Sequence, residues 1–235
     1  LRWRHNFERN LLSDVSLSSS RYQFSNTDKN NVTEAFSHEY TIGHTEGRLD
    51  FLWTALPHHR VEFGLNSIYY DLDRGSIQPF GVESTRIPVE LGNEYGLESS
   101  VYLSDEFRLF PRLNILLGLR YSVYSQLGPA EVNLYDDQRA KSVNTITGTE
   151  NYENGELVAT YSGLEPRASF NFAIGRNTSV KASYNHLQQY LFLLSNTIAI
   201  APTDQWKLTD AHIVPPESDQ VSMGVYHDFE EAGVS

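Results

Sequence analysis

The chain has 235 residues, no cysteine, and 18 Lys+Arg against 30 Asp+Glu, a formal charge of −12. Without cysteine it forms no disulfide, zinc ribbon, iron–sulfur cluster or thiol nucleophile, and its acidity argues against a nucleic-acid binder, which presents a basic face. No apolar run approaches the ~18 residues of a spanning helix, and Leu1-Arg2-Trp3-Arg4 does not open a signal peptide; alternating strands, however, cross membranes at soluble-looking hydropathy.

Period-two alternation predicts nine strands, near 1–7, 11–25, 36–55, 60–73, 94–109, 113–126, 161–174, 178–188 and 217–229. In the third, Leu49, Phe51 and Trp53 oppose Asp50, Leu52 and Thr54. The sixth is the clearest: Leu113, Ile115, Leu117, Leu119, Tyr121 and Val123 share one face, and Asn114, Leu116, Gly118, Arg120, Ser122, Tyr124 and Gln126 the other. Ala168, Phe170, Phe172 and Ile174, then Val180, Ala182 and Tyr184, then Val221, Met223 and Val225 repeat the device. One face is apolar; the other is small, polar or charged.

The connections alternate strictly in length. Odd strands end in tight links: Glu8-Arg9-Asn10, Leu56-Pro57-His58-His59, Phe110-Pro111-Arg112 and Gly175-Arg176-Asn177. Even strands end in long polar ones, near 26–35, 74–93, 127–160 and 189–216. An up-and-down barrel in an outer membrane segregates its loops in this way, with short periplasmic turns and long external loops. Several strands exceed the about 9–11 residues that cross hydrocarbon, and aromatics near their ends (Trp3, Phe7, Trp53, Phe107, Phe110, Phe229) suit interfacial girdles. An odd strand count and an N-terminus on the long-loop side make 1–235 read as an interior piece of a larger barrel.

The second half resembles the barrel of TonB-dependent outer-membrane receptors, especially those of Bacteroidetes-like bacteria. The resemblance rests on Tyr102-Leu103-Ser104-Asp105-Glu106-Phe107, on the strand Leu-Asn-Ile-Leu-Leu-Gly-Leu-Arg-Tyr at 113–121, and on Leu164-Glu165-Pro166-Arg167-Ala168-Ser169. Further along it rests on Val180-Lys181-Ala182-Ser183-Tyr184-Asn185, Gln189-Tyr190-Leu191, Leu194-Ser195-Asn196-Thr197, Pro202-Thr203-Asp204 and Pro215-Pro216-Glu217-Ser218-Asp219-Gln220. It implies an all-β, antiparallel up-and-down transmembrane barrel of about 22 strands with a plugged lumen, of which this chain supplies about nine. It also implies import of a scarce nutrient (metal chelate, haem, cobalamin, glycan or peptide) across the outer membrane of a Gram-negative bacterium. The implied partners are outer-membrane lipid, the receptor's own N-terminal plug domain, the TonB complex acting through that plug, and a possible surface lipoprotein. Two other classes stay open: a passive porin-type barrel, and a soluble all-β adhesin or carbohydrate-binding module.

No catalytic constellation is present, neither phosphate-loop spacing nor a Gly-x-Ser-x-Gly turn, and no cofactor is expected. His58-His59 reads as solvated surface histidine without a third metal ligand. Glu131, Asp136, Asp137, Glu150, Glu153 and Glu156 make the third long loop acidic. A cation site and a solvated flexible loop are the two readings, the second being the simpler. On the polar strand faces, Arg120, Arg167, Lys181 and Asp228 are expected to line the lumen and meet the plug. The fourth loop is too apolar to be merely solvated. Its Tyr190, Leu191, Phe192, Leu193, Leu194, Ile198, Ile200 and Trp206 predict a folded element, and Gln189, Tyr190, Asp204 and Trp206 are its candidate ligand contacts. Strict alternation sets Asp105 beside Leu103 and Phe107 on the apolar face, and a bulge turning it inward is expected.

Overall fold

The computed structural model describes residues 1–7, 10–136, 138–195 and 204–229. Outside them lie Glu8 and Arg9 of the first tight link, Asp137 of the acidic loop, and Asn196, Thr197, Ile198, Ile200, Pro202 and Thr203 of the fourth loop. The strands are β1 (Arg2–Phe7), β2 (Leu11–Asp28), β3 (Phe36–Trp53), β4 (His59–Pro79), β5 (Val89–Glu90), β6 (Asn93–Phe110), β7 (Leu113–Leu127), β8 (Ala130–Tyr135), β9 (Ile146–Tyr152), β10 (Leu157–Ala173), β11 (Thr178–Gln188), β12 (Leu191–Leu194), β13 (Gln205–Leu208) and β14 (Glu217–His227).

Ten of these form one antiparallel sheet in the order β1-β2-β3-β4-β6-β7-β10-β11-β14, with β5 beside β4. Every long strand pairs with its neighbours in sequence, as an up-and-down wall requires, and the sheet is open between β1 and β14. All nine expected strands form. Differences concentrate in the long connections: β8 and β9 pair as a separate two-stranded ribbon, and so do β12 and β13. The acidic third loop is therefore an ordered hairpin rather than a flexible polar segment. Its cross-strand pairs run from Ala130↔Tyr152 to Tyr135↔Ile146. The tight links use left-handed backbone at Asn10 (φ 60°) and His58 (φ 66°), a conformation that short polar side chains tolerate better than branched ones.

The two faces differ as the alternation requires. Leu103, Leu119, Val221 and Met223 are exposed, the last at 78 %, and they belong to an apolar surface that none of the described residues covers. Such a surface in water marks an unsatisfied interface; facing hydrocarbon, it is at rest, since the strands between the two open edges are paired laterally on both sides. Paired register also reveals strand tilt. One cross-strand row reads Trp53, Val61, Asp105, Leu117, Ala168, Tyr184, Val221. It meets the apolar band at its short-turn edge on β3, where Trp53 is the last apolar residue, and at its long-loop edge on β14, where Val221 is the first. A level band that crosses the rows obliquely is what inclined strands produce. Above the band the same face becomes hydroxylic, with cross-strand pairs Ser19–Thr45, Ser67–Ser99 and Ser125–Thr160, each 3.1 Å apart.

Asp105 does not turn inward. The register of β6 runs unbroken past it, Val61 and Leu117 stand opposite on either side, and the nearest irregularity lies between Arg108 and Phe110. The charge is met on the apolar face instead: His59 Nδ1 lies 2.7 Å from Asp105 Oδ2, and the His59 ring stacks on Phe107 at 5.3 Å. His59 is thus a partner rather than a solvated histidine, while His58 remains exposed in the link. A charge-assisted bond of this kind near the short-turn edge removes the need for a bulge.

If the band meets lipid, Leu119→Arg at its middle destabilises the parent protein by about 2–4 kcal/mol, whereas Ser162→Arg at its hydroxylic margin costs about 0–1 kcal/mol. Urea titration in phospholipid vesicles measures both. Equal effects at the two depths contradict the assignment.

Candidate functional site

The fourth long connection folds back over the polar face, and its anchor is aromatic. Tyr124, on the polar face of β7, is fully buried; Tyr190 lies on it with centroids 4.8 Å apart and planes 7° apart. Tyr70 and Leu72 of β4 and Leu208 of β13 complete a buried cluster, with Ile42, Ile68, Tyr161, Leu191 and Trp206 packed around it. Gly96 on β6 makes room for this ring: a Cβ there meets the Tyr124 side chain at 2.6 Å. Gly64 plays the same part for Tyr102.

Polar bonds tie the loop to the strand ends. Tyr124 Oη donates to the Thr209 carbonyl (2.9 Å), and Tyr161 Oη to that of Asp210 (2.8 Å). The Ala211 N–H donates to Gln126 Oε1 (3.0 Å), and Arg74 Nη2 to Gln205 Oε1 (2.9 Å). Glu94 is the hub. It accepts from Arg74 (3.1 Å), from Lys207 Nζ (2.6 Å) and from the Leu208 N–H (2.9 Å). Lys207, almost buried, also bridges to Asp210 at 2.7 Å. Burial opposes the charge on Asp210, but Lys207 and the N–H groups of His212 and Ile213 (2.8 Å each) outweigh it and hold the carboxyl below the usual range.

Below the aromatic anchor lies an ionic network. Arg120 donates to Glu98 (2.8 Å) and lies 3.7 Å from Glu165, which is itself 3.7 Å from Arg167. Glu98 and Glu165 are buried. Tyr70 Oη donates to Glu98 (2.8 Å), Ser122 Oγ donates to Glu165 (2.7 Å), and Ser122 Oγ and Tyr190 Oη are 2.9 Å apart. Buried carboxylates are tolerable only when paired in this manner. The network thus links the strand wall to the loop through one serine and one tyrosine.

Of the charged residues expected on the polar face, Arg120 and Arg167 meet through Glu165. Lys181 stands apart, its Nζ 4.5 Å over the Tyr226 ring. Asp228 is exposed beside the last tight link, its N–H donating to the Asn177 carbonyl (2.8 Å). The four loop candidates separate likewise. Tyr190 is 3 % exposed and Asp204 8 %, and Tyr190 is packed on Tyr124. Gln189 is exposed, its side chain donating to the Leu191 carbonyl (2.7 Å), and Trp206 is half-buried. Glu94, Glu98, Glu165, Arg74 and Tyr70 were not singled out by the sequence. The available signal was Tyr124 itself, a large ring on an otherwise small and polar face, which has to be covered by something. Among the described residues no group of three His, Asp or Glu is arranged to hold a metal ion.

Tyr190→Ala removes the stacked ring and lowers the loop's docking by about 3–5 kcal/mol, read as hydrogen exchange rising in 204–213 but not in β7. Asp210 adds a pH dependence. Its folded-state pKa is depressed, so its contribution is complete above the unfolded value of about 3.9 and is lost as pH falls through the folded value. Protease protection of the loop should fall in that acid window, and Asp210→Asn should remove the step; an unchanged acid profile in that variant assigns the step elsewhere.

The TonB dependent receptor-like β-barrel family model matches residues 1–206. Among solved structures, the ferric-catecholate import receptor Fiu from E. coli K12 in its closed form superposes with a TM-score of 0.57 at 14 % identity, over 98 % of this chain and 38 % of that one. The open form of Fiu gives a TM-score of 0.46 at 14 % identity, over 80 % and 34 %. No curated protein matches the sequence. The chain therefore spans well under half the length of the receptor it superposes on, and with a family match over most of its residues it belongs to the TonB-dependent receptor β-barrel family.

Proposed function

We propose that this sheet is part of the outer-membrane wall of a receptor that binds and imports a scarce nutrient into a Gram-negative bacterium, with transport driven through a plug domain and the TonB complex. The observation that carries the reading is the asymmetry of the sheet: an uncovered apolar band outside, and inside a polar face whose buried carboxylates Glu98 and Glu165 are paired and over which a long loop has folded. The family is one of receptors, not of enzymes.

In this reading the lumen is lined by Arg120, Arg167, Lys181 and Asp228. Arg120 and Arg167 share Glu165 and stiffen the wall behind the loop, while Lys181 and Asp228, nearer the tight links, are free to meet the plug. Gln189 and Trp206 are the more exposed loop residues that a ligand reaches, with Tyr190 and Asp204 buried beside them and Tyr190 holding the loop through Tyr124. The ligand is a metal chelate, haem, cobalamin, a glycan or a peptide. Fiu, which shares the fold, is a ferric-catecholate receptor, and that favours testing chelates first. Outer-membrane lipid covers the apolar band, and a surface lipoprotein is a further possible partner at the long-loop end.

The experiment uses the parent receptor in its native membrane. Its gel mobility should shift on boiling, and cells expressing it should take up one of ferric catecholate, haem, cobalamin or an oligosaccharide in a manner that stops when the inner-membrane proton gradient is collapsed. Uptake that survives collapse of the gradient makes the protein a passive channel and overturns the proposal.

A further inference from the structure

The outward face of β7, β10, β11 and β14 is not evenly filled. Ala168 on β10 and Ala182 on β11 leave a floor between the taller Leu117, Phe170, Tyr184 and Met223, and the result is an apolar groove of about 820 Å³. Phe110 and Phe172 meet edge to face at 6.3 Å at its short-turn end. Just beyond that end lie two neighbouring links carrying Arg112 and Arg176. The Ala173 N–H donates to the Arg112 carbonyl (2.8 Å), which holds the two links side by side.

These arginines differ from most of those on the polar face. Arg2, Arg4, Arg48, Arg60, Arg74, Arg120 and Arg167 each lie within ion-pair distance of a carboxylate; among the described residues Arg112 and Arg176 have none, nor do Arg21, Arg86 and Arg108, of which Arg108 is held by Asn114 (3.4 Å) and Arg86 by the Glu34 carbonyl (3.0 Å). Arg112 and Arg176 are both exposed. Asp228, beside the second of these links, follows β14 in the polar-face series Gly224, Tyr226, Asp228 and forms no ion pair with either arginine. Two exposed arginines without a carboxylate partner therefore sit on the links just beyond the short-turn end of an apolar groove.

We propose that the groove is a phospholipid site, holding one acyl chain of an anionic diacyl phospholipid whose phosphate-bearing headgroup is bound by Arg112 and Arg176. The proposal rests on the reading that the apolar band faces lipid. Within a bilayer, chain contacts alone discriminate little, because lipid tails are as apolar as the groove. Selectivity comes from the headgroup. Guanidinium forks match phosphate oxygens, and basic clusters at the membrane edge favour headgroups of net negative charge. The alanine floor keeps the chain in one place, so that the headgroup arrives over the arginines.

The test is native mass spectrometry of the detergent-purified parent receptor, equilibrated with phosphatidylglycerol or with phosphatidylcholine of equal chain length. The wild type should retain phosphatidylglycerol preferentially. The double variant Arg112→Gln, Arg176→Gln should lower that preference about thirtyfold, the order expected for two basic side chains at a membrane surface. Ala182→Trp, which fills the floor, should reduce retention of both lipids while the heat-dependent gel shift persists. Equal retention of the two lipids by the wild type, or a preference unchanged in the arginine variant, overturns the site even if Ala182→Trp fails to fold. A parent protein that needs no detergent and shows no gel shift removes the lipid-facing reading itself, and the site with it.

Discussion

Everything in this sheet depends on one constraint: strand side chains alternate with a period of two, while backbone donors and acceptors are satisfied only by the neighbouring strands. Register then decides the environment of every residue. A slip of one position on any strand would carry its whole apolar series to the polar face. The long, nearly uninterrupted registers, such as the eighteen successive pairs from Leu11↔Trp53 to Asp28↔Phe36, fix that choice many times over.

The apolar band and the polar face consequently solve different problems. On the outer side, side chains need only be apolar and of moderate size, and the single carboxylate in the band, Asp105, is accommodated by His59 from the adjacent strand. On the inner side, charge and hydrogen-bonding groups have to be matched within the protein. Arg120 between Glu98 and Glu165 is one such match, and Glu94 with its three donors is another. The first network sits behind the loop and the second at the strand ends, so the loop is gripped at two heights.

Much of this was legible in the sequence because the relevant signals are local. Alternation located all nine long strands, and the parity of link lengths ordered them as an up-and-down wall. What the sequence did not reveal depends on cross-strand neighbours. Asp105 violates the alternation rule only until His59, forty-six positions away, is placed beside it. The acidic residues of 127–160 look like a solvated run until Glu131 and Glu150 take their places on the paired strands β8 and β9. Tyr190 reads as a packing residue more readily than as a ligand contact, but its partner is not visible until Tyr124 is known to lie beneath it. Pairing information of that kind is carried by register, and register is set by the sheet as a whole.

The loop's position has a mechanical implication for a wall of this type. Its grip combines an aromatic stack, which is insensitive to salt, with an ionic hub at Glu94 and Asp210, which is screened by salt and, through Asp210, weakened in acid. The ionic groups lie at the strand ends, nearer solvent; the aromatic cluster lies deeper. Disturbance from outside therefore acts first on Lys207, Arg74 and Asp210, and the stack yields only afterwards. Through Ser122 and Tyr190 the deeper element is also joined to Arg120 and Glu165, so a movement of the loop large enough to unstack Tyr190 leaves Ser122 short of one partner and loosens the hold on Glu165. The same contacts that close the loop over the polar face thereby make its displacement felt in the wall beneath.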